Sequence, residues 1–252
     1  MTTVHILSTL VPILIVLAVL AACCAAVYGP ASRFAREYVD ALLLDVSTGE
    51  IEDEPALRAA PGRRRLLLPR VQTALFLLVA GVAGAGALSS GRWWELVLAL
   101  PVMAALTVAG STDAVCHRLP NGLLDPATLC AALALLLDAG WRALSSGEPS
   151  QAVAPVLASL GAAAGLGFVT FLMTLLPLGL GLGDFKLCCL IGLWLGRLHW
   201  AVPVLGVVAG LFLAGLVAIA LMVTRRAQRH TMMAMGPYLI AGAFGVWGLV
   251  VL

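Results

Sequence analysis

Uncharged apolar runs recur along the whole chain, and several are about 20 residues long, which is the length that spans a bilayer as a helix. Of the 252 residues, 62% are hydrophobic and only 11% are charged. Soluble domains are about half apolar and about a quarter charged. So little polar surface cannot cover a globule in water, which excludes a soluble enzyme, a disordered regulator and a secreted disulfide scaffold. The sequence therefore predicts a polytopic membrane protein.

The order of the apolar runs predicts an all-α, polytopic membrane helix bundle with about eight transmembrane helices. We expect a first transmembrane helix in 1–28, a charged segment in 29–70 and a membrane-embedded core in 71–252. Residues 20–23 resemble a lipoprotein cleavage box, but basic residues follow the first helix rather than precede it, which favours a retained span. The predicted spans are 5–28, 71–88, 93–110, 123–137, 153–177, 185–198, 201–223 and 237–252.

The basic residues predict the orientation of the helices. With the loops placed alternately on the two sides, twelve of the 15 Lys and Arg residues fall on one side, and Arg92, Arg142 and Arg197 fall on the other. An excess of positive charge marks the cytoplasmic side. We therefore expect both termini outside the cytoplasmic (inner) membrane of the cell and the 29–70 segment in the cytoplasm. Its composition fits a short interfacial helix or a solvated linker equally well.

Small residues four apart predict where helices pack closely, because they let two backbones approach each other in lipid. Close contacts are predicted at four such pairs in the apolar runs. They are Gly81/Ala85, Gly161/Gly165, Gly192/Gly196 and Gly206/Gly210.

Few acidic residues lie outside the 29–70 segment, and each needs a reason, because charge at a membrane is costly. We expect Glu95, Asp138 and Glu148 to be solvated at the outer ends of helices. Asp125 precedes Pro126, a pattern typical of a helix start. The two acidic residues that remain are Asp113 and Asp184.

Asp113 and Asp184 are both predicted at the cytoplasmic edge of the membrane, although 71 residues separate them. Two adjacent carboxylates cannot both ionise easily, so one of them keeps a proton. Such a pair can activate a water molecule and protonate a leaving group without a metal or an organic cofactor. Gly181 and Gly183 would let a peptide backbone approach Asp184 closely. The alternative is that each aspartate only caps a helix.

Three segments resemble the type IV prepilin leader peptidases, which are membrane aspartic peptidases with a G-x-G-D motif. Asp113 followed by Leu119-Pro120-Asn121 is similar to their D-x5-[IL]-P-N element. The segment from Gly181 to Leu187 is similar to their G-x-G-D-x-K-L element, and the segment from Met235 to Leu239 to their late G-P-x-L element. The resemblance covers roughly residues 71–252.

The resemblance implies an enzyme that removes the basic leader from prepilins, pseudopilins or Flp-type pilins at the cytoplasmic face of the membrane. It implies Asp113 and Asp184 as the catalytic pair. Gly181, Gly183, Lys186, Pro120 and Asn121 would shape the site. The implied partners are these substrates and membrane lipid, without nucleic acid, and no cofactor or metal is implied.

One departure from the family pattern bears on a second activity. Bifunctional members carry a larger cytoplasmic domain with paired, zinc-binding cysteines and also N-methylate the new pilin terminus. Here the 29–70 segment contains no cysteine. We therefore expect a short form of the enzyme that does not methylate its product.

Two other functions fit parts of the sequence. A presenilin-like intramembrane protease also uses G-x-G-D, but Thr112 replaces the tyrosine of its first motif and the later Pro-Ala-Leu element is absent. A small proton- or cation-coupled transporter would hold acidic residues near the middle of its spans. Asp113 and Asp184 are instead predicted at span edges.

Overall fold

The computed structural model describes residues 2–49, 60, 62–176, 181–225 and 233–252, with residues 2–9 as backbone only. The described chain is all-helical and contains no β-strand. A π-helical turn (Val27–Ala31) joins the first two helices, and a short 3-10 helix (Arg64–Leu67) precedes the third. The α-helices are α1 (Thr2–Ala26), α2 (Ser32–Thr48), α3 (Pro69–Ser89), α4 (Trp93–Cys116), α5 (Asn121–Ser146), α6 (Ser150–Leu175), α7 (Leu182–Gly196), α8 (Ala201–Val223) and α9 (Gly236–Val251).

Among the described residues, six helical segments are long and apolar enough to cross a membrane, which indicates a multi-pass membrane protein. The first of them runs from Leu10 to Thr48 without interruption. All eight predicted spans coincide with helices. However, α7 has 15 residues and α9 has 16, fewer than the ~20 of a full span. The number of crossings and their orientation therefore stay predictions.

Within the 29–70 segment, the structure shows a helix rather than a linker in residues 32–48. This helix, α2, continues α1 through the π-helical turn and buries Ala35, Val39 and Leu42 along one face. It ends at Gly49, whose φ of 80° is a left-handed conformation that glycine adopts without strain. Residues 50–59 and 61 lie outside the described residues.

A chain of buried hydrogen bonds attaches this segment to the core. The hydroxyl of Ser32 donates to Gln72 Oε1 at 2.5 Å, and Gln72 Nε2 donates to Ser111 Oγ at 2.6 Å. All three side chains are buried. Because Ser111 lies two residues before Asp113 on α4, the start of α2 is tied to the helix that carries this aspartate.

Glycines set the closest helix contacts, as two of the four predicted small-residue pairs indicate. A Cβ atom at Gly192 or Gly196 of α7 would lie 2.6 Å from backbone atoms of α6. A Cβ at Gly210 of α8 would lie 2.7 Å from Leu239 Cα in α9. The prediction is wrong for the other two pairs, because Gly81, Gly161 and Gly165 each face open space.

Candidate active site

Asp113 lies near the end of α4, one turn before the helix ends, and its side chain is 4% exposed. Its Oδ2 accepts a hydrogen bond from the backbone N–H of Gly236 at 3.0 Å, although 123 residues separate the two. Gly236 is the first residue of α9, where backbone N–H groups lack partners within the helix. The carboxylate of Asp113 therefore joins the end of one helix to the start of another.

Asp184 lies in the first turn of α7 and is partly buried. Its Oδ2 accepts a hydrogen bond from the N–H of Gly181 at 3.1 Å. Gly181 is extended and immediately precedes the helix, so this contact is a helix cap. Asp184 thus makes the helix-capping contact that was the alternative to a catalytic role. The same contact holds its carboxylate at the N-terminal end of α7.

The two aspartates lie near each other. Leu119 lies between Gly183, which precedes Asp184, and Gly236, which donates to Asp113. A Cβ at Gly183 would lie 3.1 Å from Leu119 Cβ, and one at Gly236 would lie 3.4 Å from Leu119 Cδ1. In the part of the chain that the structure describes, no Lys or Arg forms a salt bridge with either aspartate. The pair is therefore not neutralised by a cation there.

Two further predicted site residues contact each other. Lys186 Nζ donates to Asn121 Oδ1 at 2.8 Å, linking the first turn of α7 to the first residue of α5. Pro120 directly precedes α5 with an extended backbone, and its carbonyl accepts from the N–H groups of Leu123 and Leu124. Pro120 therefore sets the start of α5 and so the position of Asn121.

The segment that precedes the core also contacts the neighbourhood of Asp113. Arg63 Nη1 donates to the carbonyl of Ala114 at 3.3 Å and lies 3.2 Å from His117 Nε2. His117 ends α4 with a φ of 54°. These contacts place the predicted cytoplasmic segment beside the turn that follows Asp113.

An apolar groove of about 430 Å³ lies between α6 and α7. Gly167, Phe171, Phe185 and Cys189 are among its lining residues. One of its lining residues, Phe185, directly follows Asp184 in the sequence, but neither aspartate lines the groove. Its apolar lining suits an apolar segment rather than a charged ligand.

The prediction for Asp125 is wrong. The helix begins at Asn121 rather than at Pro126, so Asp125 and Pro126 lie inside α5, and Asp125 is exposed. The physical reason is that Pro120 already provides an extended residue before the helix. Pro126 is the sixth residue of α5, beyond the first turn, so the helix lacks the hydrogen bond that an N–H there would donate to the Gly122 carbonyl.

The prediction that Glu95 and Asp138 are solvated is also wrong, whereas Glu148 is exposed as expected. Asp138 is 2% exposed, and Glu95 lies 2.6 Å from the buried Arg197. The sequence predicts Arg197 in an outer loop. Its place directly after a short apolar helix was the signal that could have indicated a buried, paired charge.

The arrangement brings three segments together: residues 113–121, residues 181–187 and the start of α9. They surround two carboxylates, one buried and one partly buried, with a lysine and an amide at the margin. Two neighbouring carboxyl groups, one ionised and one protonated, can act as general base and general acid on a water molecule. In the described residues, no group of three or more His, Cys, Asp or Glu side chains is placed to hold a metal ion.

Comparison of the chain with protein-family models, with curated proteins and with solved structures gives no match. The described residues form helices only, six of them long and apolar enough to cross a membrane, which indicates a multi-pass membrane protein with two neighbouring carboxyl groups at the ends of two helices.

Proposed function

We propose that this chain is a membrane aspartic endopeptidase that removes the basic leader peptide of type IV prepilins or prepilin-like proteins. In this proposal the active site faces the cytoplasm in the inner membrane, and Asp113 and Asp184 are the catalytic pair. The product is not N-methylated.

The proposed reaction needs only the two carboxylates and water. The ionised aspartate takes a proton from a water molecule while the water oxygen attacks the scissile carbonyl carbon. The protonated aspartate donates its proton to the carbonyl oxygen. The aspartate that took the proton from water then donates it to the peptide nitrogen, while the other aspartate takes a proton from a hydroxyl of the tetrahedral intermediate. The C–N bond breaks, and an amine and a carboxylic acid are released. One aspartate ends protonated and the other ionised, as at the start.

A single observation carries the proposal: the Gly236 N–H donates to Asp113 while Leu119 packs against both Gly183 and Gly236. These contacts join the three segments on which the resemblance to prepilin peptidases rests. Nothing in local helix structure requires segments so distant in sequence to meet. Their meeting around two carboxylates is what a shared catalytic site needs.

Two features favour this function over a transporter. Asp113 and Asp184 lie in the last and first turns of their helices, whereas coupling carboxylates of transporters are expected near the middle of the membrane. The apolar groove between α6 and α7, which includes Phe185, also offers a surface for an apolar substrate segment.

The direct test is co-expression with a prepilin that has a basic leader, a glycine and an apolar helix, with leader removal followed by gel shift. We expect Asp113→Asn and Asp184→Asn each to lower the cleavage rate by about 100-fold or more, because each removes a proton-transfer group. Asp125→Asn is the matched control, since Asp125 is exposed on α5, and should cleave normally. Normal cleavage by either of the first two variants contradicts the proposal.

Two further measurements test the finer parts of the proposal. Mass spectrometry of the mature pilin, with this protein as sole processing enzyme, should show an unmethylated N-terminus. A methyl group there would contradict the absence of methylation.

The orientation is tested with cysteines introduced at the exposed Ser47 and Ser146. Ser47→Cys should react with a membrane-impermeant thiol reagent only from the cytoplasmic side, and Ser146→Cys only from the outside. Labelling of Ser47→Cys from outside would reverse the topology.

A further inference from the structure

Four charged side chains form a cluster at the end of α7 that is remote from Asp184. Arg197 and Asp138 are buried, Glu95 is partly buried and Arg142 is partly exposed. Arg197 is 2% exposed, and its Nη1 lies 2.6 Å from Glu95 Oε2 and 3.8 Å from Asp138 Oδ2. Arg142 Nε donates to the same Asp138 oxygen at 3.0 Å. Two cations thus face two carboxylates. A buried charge is strongly unfavourable without its partner, so each member of the cluster holds the others in place.

The cluster joins α4, α5 and α7, three helices that also contribute residues to the candidate active site, and it lies toward their opposite ends. Glu95 and Asp113 lie at the two ends of α4, 18 residues apart, which is about 27 Å along a helix. Asp184 and Arg197 lie at the two ends of α7, 13 residues apart, or about 20 Å. On the third helix, α5, Asn121 is at the site end.

The helices that carry the two aspartates have little direct contact with each other. Helices α4 and α7 are not close neighbours, and α5 and α9 pack against both of them. Helix α7 packs closely on α6, where Gly192 and Gly196 bring the two backbones together and the ring of Phe185 contacts that of Phe171. The contact between Arg197 and Glu95 is a direct side-chain link between α7 and α4.

We propose that Arg197 is a positioning residue, and that its ion pair with Glu95 sets the register of α7 and thereby the separation of Asp113 and Asp184. Asp138 supports the pair by extending the link to α5. The catalytic consequence rests on the proposed peptidase function, but the register itself is independent of any activity. None of the cluster residues touches the reacting groups.

Three variants separate positioning from folding. Arg197→Met removes the cation and leaves Glu95 without its partner. This variant therefore changes both folding stability and the position of α7. The double variant Glu95→Gln with Arg197→Met leaves no unpaired charge at this contact and should fold, but it still lacks the link. Arg197→Lys keeps the charge and should restore much of the function. Glu148→Gln, at the same end of the molecule but exposed, is the matched control.

The register is measured as the distance between spin labels at the exposed positions Leu182 on α7 and Leu129 on α5, in a background whose native cysteines are replaced. We expect the double variant to shift or broaden this distance, whereas Arg197→Lys and Glu148→Gln should leave it unchanged. For prepilin cleavage, we expect kcat of the double variant to fall about tenfold with KM nearly unchanged, since misplaced catalytic groups affect the transition state more than binding.

A wild-type distance and kcat in the folded double variant would overturn the proposal, because the cluster would then serve folding alone. Equal losses in Arg197→Lys and Arg197→Met would overturn it too. If the unaltered protein cleaves no prepilin, the proposed function fails, and the distance measurement still decides whether the ion pair sets the register.

Discussion

Lys186 donates a hydrogen bond to Asn121 at 2.8 Å, although 65 residues separate the two along the chain. Lys186 is the only lysine of the protein, and Asn121 is its only asparagine. The bond connects the first turn of α7, which carries Asp184, to the first residue of α5, which follows the turn after Asp113. It is thus a direct side-chain link between the two segments that contribute the aspartates.

Removing this link should slow peptide cleavage more than it destabilises the protein. Both partners are exposed, so the lost hydrogen bond costs about 1 kcal/mol or less of folding free energy. We expect Lys186→Met and Asn121→Ala each to lower the cleavage rate by about 3- to 10-fold, because the two segments then hold their aspartates less firmly. The measurement is a double-mutant cycle on the cleavage rate.

The double variant supplies the internal control for this prediction. If the two residues act through their mutual bond, the double variant should be no slower than the slower single variant. Effects that multiply would show that Lys186 and Asn121 act independently, which would contradict the positioning role of the bond.

Gly236 has no room for a side chain beside Asp113. A Cβ at this position would lie 2.7 Å from Asp113 Oδ2 and 3.2 Å from its Cγ. In Gly236→Ala the carboxylate must therefore move, and its hydrogen bond with the Gly236 N–H must lengthen. We expect cleavage to fall by about tenfold or more, because displacement of a catalytic group by less than 1 Å is costly.

Gly245→Ala is the matched control for this variant. Gly245 lies on the same helix, and a Cβ there would meet nothing within 4 Å. This change should leave cleavage unaltered and should not destabilise the protein, since alanine favours helix over glycine by about 0.5–1 kcal/mol. Equal cleavage by Gly236→Ala and Gly245→Ala would exclude a role for the Gly236 contact in placing Asp113.

The helices could be predicted from the sequence because their signal is local. An uninterrupted apolar run must satisfy its own backbone hydrogen bonds in lipid, and only a helix does so within one segment. Each predicted span accordingly coincides with a helix. The start of α5 was misplaced because two prolines, Pro120 and Pro126, lie near it. Both fit a helix start, and the sequence alone does not say which one precedes the first turn.

The contacts between helices could be predicted only in part, because they depend on which faces meet. The residues of the candidate site could be named from their motifs, but the bonds from Gly236 to Asp113 and from Lys186 to Asn121 are long-range. The ion pair of Arg197 with Glu95 was missed for the same reason. Each of these two residues lies at a helix end, where the sequence is equally compatible with a solvent-exposed loop. Packing against the other helix is what covers the side chain.

The small-residue pairs show this dependence on a partner most directly, and they lead to a stability prediction. Gly192 and Gly161 each belong to a glycine pair with the same spacing. Yet a Cβ at Gly192 would lie 2.6 Å from the backbone of Ala163, whereas one at Gly161 would meet nothing within 4 Å. A backbone atom cannot give way as a flexible side chain can, so α6 and α7 must separate in Gly192→Ala.

We expect Gly192→Ala to destabilise the protein by about 1–3 kcal/mol, the usual cost of overpacking. In a protein of this size, that lowers the midpoint of thermal unfolding in detergent by roughly 2–10 °C. Gly161→Ala should unfold at the wild-type temperature or slightly above it, because it adds helix propensity without a clash. If both variants unfold at the same temperature, α6 and α7 do not pack through Gly192.

The cleavage rate of the same two variants tests whether this contact also places Asp184, which lies eight residues earlier on α7. Slower cleavage by Gly192→Ala, with normal cleavage by Gly161→Ala, would link the contact to the position of Asp184.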